Sequence, residues 1–236
     1  MLRRFTAALA FAVAVPSQQT PSLTTFRNYN QTFQIELPTG WRQLAPNEAR
    51  RIGEDPRSPV ELRLAQPTRF YAVGPVDRWL AGDYSGPLLF VHEQAEQWHV
   101  DSDYAATLRA SWRSHGEAND VRHELADIHR ERVGTQQVES ILALRTSTPR
   151  PPAPARRSLD VHAPTARQQI TLAFTCSPDA FDRWHPEFRA WLKTVTFARI
   201  APEPATLADR LWTPVVTGAV VGVVLLLLYR HTRSRR

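Results

Sequence analysis

Hydrophobic and polar positions alternate in two stretches far apart in the chain. Phe33, Ile35 and Leu37 are separated by Gln34 and Glu36, and Ile170, Leu172, Phe174 and Cys176 follow the same period of two. That period puts each apolar set on one face of an extended strand. Residues 70–73 and 88–91 are shorter β-rich runs, and 121–133 and 137–144 read as two strands joined near Gly134 and Thr135. Elsewhere the spacing changes to that of a helix. Tyr104, Leu108 and Trp112 recur at four-residue steps and predict a helix over 101–114. Phe181, Trp184, Phe188, Trp191 and Leu192 share one helical face behind Ser177, which offers an N-cap oxygen, with Pro178 and Asp179 in the first turn. Pro186 is expected to kink that helix or to start its second half. A short helix is expected over 46–51, with Gly53 past its end. Residues 18–31 read as an irregular lead-in. The proline-rich 146–161 cannot be a central strand on this reading and is expected to be an exposed loop, with the final strand at 170–176. The resulting class is α+β: an antiparallel sheet flanked by helices, in one domain over 18–200.

The longest apolar run lies near the C-terminus. Residues 212–229 carry no charge, begin at Trp212 and end at Tyr229, and are followed by Arg230, Arg233, Arg235 and Arg236. As a helix this run rises roughly 27 Å, close to the hydrocarbon thickness of a bilayer. Trp and Tyr favour the two interfacial depths, and Arg is enriched on cytoplasmic flanks. The expected topology is a single-pass membrane protein with its body outside the cytoplasm, a linker at 201–211 and a basic cytoplasmic tail at 230–236. A buried core helix is the other reading of the run. Gly218 and Gly222 form a small-xxx-small pair that would let two such helices pair as a homodimer, although glycine is common in spanning helices in any case. At the other end, Arg3 and Arg4 precede an apolar stretch over 5–15, the pattern of a signal peptide over 1–17; an uncleaved anchor is the alternative.

The net charge of +6 changes little once it is located. Arg3, Arg4, Arg230, Arg233, Arg235 and Arg236 account for it, and the other 23 basic residues match the 23 acidic ones. The body is formally neutral and has no basic patch interleaved with aromatics, which argues against nucleic-acid binding. Lys193 is the sole lysine. Cys176 is the sole cysteine, so no internal disulfide is possible.

The segment FQIELPTGW over 33–41, a strand running into Pro-x-Gly-Trp, resembles the opening of the PsbP-like family. The segment RQQITLAFTCSPDAFDRWHPEFRAWLKTVTF over 167–197 resembles that family's close, with Phe188, Leu192, Thr194 and Phe197 carrying the final packing pattern. The middle of the chain fits only in element order. The resemblance implies an antiparallel sheet flanked by helices. The family includes photosystem accessory proteins, Ran-binding proteins and many bacterial exported proteins; no ligand residue of those branches is matched here.

Few residues suggest chemistry. His92, Glu96 and His99 would place two imidazoles and a carboxylate on one face if their segment were helical, a ligand set suited to zinc or iron. The bland reading is a polar strand exit and loop. His123, Glu124 and His129 do not have the zincin spacing; on a strand the two histidines would share a solvated face. Cys176 shares parity with core positions and is expected to be an inert buried thiol. Trp41, Trp98, Trp112, Trp184 and Trp191 could line a ligand groove or pack the helices on the sheet. There is no nucleophile elbow, phosphate loop or dinucleotide fingerprint, so no cofactor is implied. The sequence therefore points to a non-enzymatic extracytoplasmic binding or assembly module acting on a protein partner at a membrane. A metal-dependent hydrolase using His92, Glu96 and His99, and a helix-mediated membrane oligomer, stay open as alternatives.

Overall fold

The computed structural model describes residues 22–64, 69–94, 103–165 and 168–198. In chain order the elements are β1 (Leu23–Arg27), β2 (Phe33–Pro38), β3 (Arg42–Gln43), α1 (Pro46–Gly53), α2 (Val60–Arg63), β4 (Phe70–Val73), α3 (Val76–Leu80), β5 (Leu88–Gln94), α4 (Tyr104–Asn119), β6 (Val121–Val133), β7 (Val138–Pro149), β8 (Arg156–Pro164), β9 (Gln169–Cys176), α5 (Pro178–Leu192) and β10 (Thr196–Phe197). The strands form a three-stranded sheet, β1-β2-β10, and a seven-stranded sheet, β3-β4-β5-β9-β8-β7-β6. Every strand pairing in both sheets is antiparallel. Antiparallel sheets flanked by helices are what the period-two runs lead one to expect.

The main core lies on one face of the large sheet. Leu89 and Val91 of β5, Leu159 and Val161 of β8, and Leu172 and Phe174 of β9 meet Phe33, Ile35 and Leu37 of β2 and Phe181, Phe188, Trp191 and Leu192 of α5. Each such side chain contributes roughly 1.5–3 kcal/mol by leaving water. Gly134 closes the β6–β7 turn at φ +73°, where a side chain would be strained and would also strike the Val195 carbonyl.

The opposite face is unlike an ordinary second core. α1 and α3 cover one end with a small apolar cluster that includes Leu44, Ile52, Tyr71, Trp79 and Leu88. α4 covers the other end through Tyr104 and Leu108, which rest on Ile141 and Ala143. Between them the sheet shows buried polar residues: Arg145 and Ser147 from β7, Arg156, Ser158, Asp160 and His162 from β8, and Thr171 and Thr175 from β9.

Several expectations need correction. The lead-in contains β1, which pairs with β2 from Gln34 to Pro38. The expected loop at 146–161 is mostly strand: β7 runs on to Pro149, β8 starts at Arg156, and β8 sits in the sheet interior between β7 and β9. The prolines at 149, 151, 152 and 154 cluster at the turn and leave the β8 ladder intact. The strand at 169–176 is not the last, because β10 follows α5. α4 extends to Asn119 and ends at Asp120 in the left-handed region, φ 57°. Gly53 is the last residue of α1 rather than beyond it. Ser177 takes the N-cap position of α5 without a side-chain capping bond, and the helix runs through Pro186. A bulge between Ala126 and His129, with Asp127 at φ 49°, shifts the parity of β6. His123 pairs opposite Ser147 and His129 opposite Leu142, so the two histidines lie on opposite faces.

The expected signal segment 1–17, expected linker 201–211, expected span 212–229 with Trp212, Gly218, Gly222 and Tyr229, and expected tail with Arg230, Arg233, Arg235 and Arg236 lie outside the described residues. Among the described residues no helix is long and apolar enough to cross a membrane.

Candidate functional site

The polar sheet face opens into a cavity of about 110 Å³ beneath α2 and α4. Strand register explains what lines it. Ile141, His162, Thr171 and His92 are successive cross-strand partners on β7, β8, β9 and β5, so both histidines belong to one row across the sheet. The adjoining rows bring in Phe90 from β5 and Arg145 from β7. Trp112 and His115 of α4, His123 of β6, Glu61 of α2 and Arg69 complete the polar and aromatic lining. α4 approaches β6 closely because Gly116 has no side chain: a Cβ there would collide with the Val121 carbonyl. That approach seats His115 against His123.

Arg145 is the hub. Its Nε donates to Asp160 Oδ2 at 2.6 Å and its Nη2 to Asp160 Oδ1 at 3.2 Å, a bidentate pair in which both side chains are buried. The guanidinium lies 4.0 Å from the Trp112 ring centroid, in cation–π range. Its Nη1 donates to Ser147 Oγ. Ser147 Oγ in turn hydrogen-bonds His123 Nδ1 at 3.0 Å. His123 Nε2 hydrogen-bonds His115 Nδ1 at 3.3 Å. A hydrogen-bonded chain thus runs from the buried Asp160–Arg145 pair to the rim. Burial, then Arg145, push the His123 pKa down to about 3. His92 is lowered to about 4 by burial and then Arg69, and His162 to about 4 by burial. Burial and then Arg145 also lower His115. Near neutral pH the cavity therefore presents uncharged imidazoles beside fixed guanidiniums.

Glu61 differs from the rest. Its side chain is 6% exposed and its Oε1 lies 3.9 Å from Arg145 Nη1. Both carboxylate oxygens are buried without a hydrogen-bond partner, and so is Arg69 Nε.

The sequence candidates fall out as follows. His92 lines the cavity, but from strand β5, so the helical spacing imagined for it does not start there. Glu96 and His99 lie outside the described residues. Among the described residues no three His, Cys, Asp or Glu side chains form a group that could hold a metal ion. His123, read as part of a solvated face, is half-buried in the site. Cys176 is fully buried, and burial pushes its thiol up to about 11, which keeps it protonated and inert. Trp112 joins the cavity; Trp98 lies outside the described residues. Trp41 and Trp191 pack edge to face at 5.0 Å, and with Trp184 they line a separate open groove of about 420 Å³ rimmed by Arg183 and Glu187. Glu61, Arg69, His115, Arg145, Asp160 and His162 belong to no recognisable motif in the sequence. A signal for part of this set exists: Arg156, Ser158, Asp160 and His162 alternate with Leu159, Val161 and Ala163, the pattern of a strand with one oily and one polar face, both buried.

No protein-family model matches the chain, and no curated protein does. Among solved structures the chain is similar to cyanobacterial PsbP from Synechocystis, with 12% identity, coverage of 78% of this chain and 98% of that one, and a TM-score of 0.47. It is also similar to a protein of unknown function from Pseudomonas aeruginosa, with 12% identity, coverage of 77% and 98%, and a TM-score of 0.35. Likeness at this level bears on neither ligand nor partner.

Proposed function

We propose that the chain is a non-enzymatic binding module displayed on the outer face of a cell membrane, with residues 18–200 outside, a single span at 212–229 and the basic tail in the cytoplasm. The observation that supports binding is the cavity, where the buried Glu61 carboxylate has no hydrogen-bond donor. Leaving such a group unsatisfied costs about 1–3 kcal/mol, more when it is charged, and a bound molecule that supplies donors removes that cost. The membrane tether raises the local concentration of the module at the surface, and the linker at 201–211 sets its reach. For a protein partner, the groove of Trp41, Trp184 and Trp191 offers aromatic and arginine contacts of the kind that dominate interface energetics.

Thermal unfolding of the full chain in detergent against a broad library of small polar metabolites tests the ligand half. At least one compound should raise the midpoint by mass action, and Glu61→Gln should abolish the effect. A photocrosslinker at position 184 in native membranes tests the partner half. If no compound shifts the midpoint and no protein is captured, the module reading fails. The rival reading, a metal-assisted hydrolase using His92, Glu96 and His99, draws on the uncharged His92 ring in the cavity. Stoichiometric zinc or iron lost on His92→Ala would favour it, and a metal-free full chain would remove it.

A further inference from the structure

We propose that the cavity binds a small zwitterion of the amino-acid class, with its ammonium group on the Glu61 carboxylate and its carboxylate on the Arg69 guanidinium. This assignment requires the domain to be a binding module and adds the chemistry of what it holds.

The two unsatisfied charges point to opposite needs. Glu61 can only accept, and neither of its oxygens has a donor. Its nearest cation, Arg145, is committed to Asp160 by two hydrogen bonds and to Ser147 by a third. Arg69 can only donate, and its buried Nε has no acceptor. Among the described residues Arg69 forms no ion pair, although Glu61 lines the same cavity. The fold thus holds the Glu61 carboxylate and the Arg69 guanidinium in a single chamber without joining them. A cationic ligand would satisfy Glu61 and leave Arg69 unmet; an anion would do the reverse. A molecule carrying both charges meets both.

The remaining lining suits the rest of such a molecule. Val60, Leu64 and Phe90 supply apolar wall for a short aliphatic side chain. Neutral His92 and His115 add adaptable hydrogen-bonding groups without a competing charge. Size limits the ligand: a volume of about 110 Å³ corresponds to roughly four waters at about 30 Å³ each, the space of the smallest amino acids.

The test is isothermal titration of the full chain in detergent with the individual proteinogenic amino acids at millimolar concentration, with n-propylamine and propionate carrying one charge each. At least one amino acid should bind, with the amine and the acid at least about tenfold weaker. Glu61→Gln and Arg69→Gln should each weaken binding by about tenfold or more. The unliganded Glu61→Gln protein should unfold at the same or a higher temperature, because it removes a buried carboxylate that accepts no hydrogen bond; a purely structural Glu61, holding the fold through Arg145, would give a lower one. Failure of every amino acid to bind overturns the proposal, as does equal affinity for propylamine or propionate, unchanged binding by Glu61→Gln, or a lowered unfolding temperature for that variant. A different metabolite that binds in a Glu61-dependent way also overturns it, while leaving the binding module intact.

Discussion

At the scale of the residue, the Arg145–Asp160 pair decides how the site stands up. Both side chains are almost wholly buried and joined by two hydrogen bonds. Removing one member strands the other in a dry interior, at about 3–5 kcal/mol. Arg145→Met should therefore lower stability by about that amount, while Arg145→Met with Asp160→Leu should recover most of it; urea denaturation of the two variants measures the difference. The histidines give a pH dependence whose sign is fixed. His92 and His162 sit at about 4 and His123 at about 3 in the folded protein, below the ordinary 6.5. The unfolded chain binds more protons than the folded one between those values, so stability rises with pH from about 4 to 6.5 and is lost on acidification through that window. Urea midpoints across the window should follow this slope, and His162→Gln should flatten it. A flat profile in the parent protein would show that these rings are not held neutral.

At the scale of the element, α4 and β8 make the site, and they differ in how far the sequence reveals them. Tyr104, Leu108 and Trp112 mark α4 clearly, because a helix laid on a sheet must bury one stripe. Its C-terminal extension to Asn119 was not legible, since that stretch reads as polar and Gly116 looks like a helix breaker. Gly116 is there for contact. Alanine at a helical glycine normally gains about 1 kcal/mol from backbone propensity, but here its methyl would strike the Val121 carbonyl. Gly116→Ala should therefore destabilise the protein and loosen the His115–His123 contact, read as a lower unfolding midpoint; a rise in the midpoint would mean α4 is free to shift. β8 was missed for a different reason. Prolines flanking it suggested a loop, and its polar residues suggested solvent, but the oily alternates Leu159, Val161 and Ala163 face the main core while Arg156, Ser158, Asp160 and His162 are buried under the helices. A sequence pattern reports polarity, and burial of the polar face depends on what other elements cover it. The bulge at Asp127 defeats sequence reading in the same way, because one extra residue in β6 exchanges the faces of His123 and His129 with no compositional mark.

At the scale of the whole molecule, charge is sorted along the chain. The stretch from Glu36 to Asp209, body and linker together, holds all 23 acidic residues, while the excess of six positive charges lies at the two ends. A ligand-binding body gains nothing from such sorting, but a membrane topology does: arginine clusters beside an apolar run resist translocation and stay on the cytoplasmic side. The proposed placement follows, with the cavity and the tryptophan groove outside and Arg230, Arg233, Arg235 and Arg236 inside. If Gly218 and Gly222 also form a helix-pairing face, replacing both with leucine should abolish self-association in detergent without altering placement, because the apolar length of 212–229 is kept. Placement itself is tested by fusing alkaline phosphatase, which folds only outside the cytoplasm, at two points. A fusion after Pro204 should be active and one after Arg236 inactive. The two fusions differ by residues 205–236, which hold the apolar run and its basic flank, so the contrast tests that segment as the barrier. Equal activity at both points would mean that 212–229 does not stop in the membrane, and the cavity would then have to be sought as a site of a chain free of the bilayer.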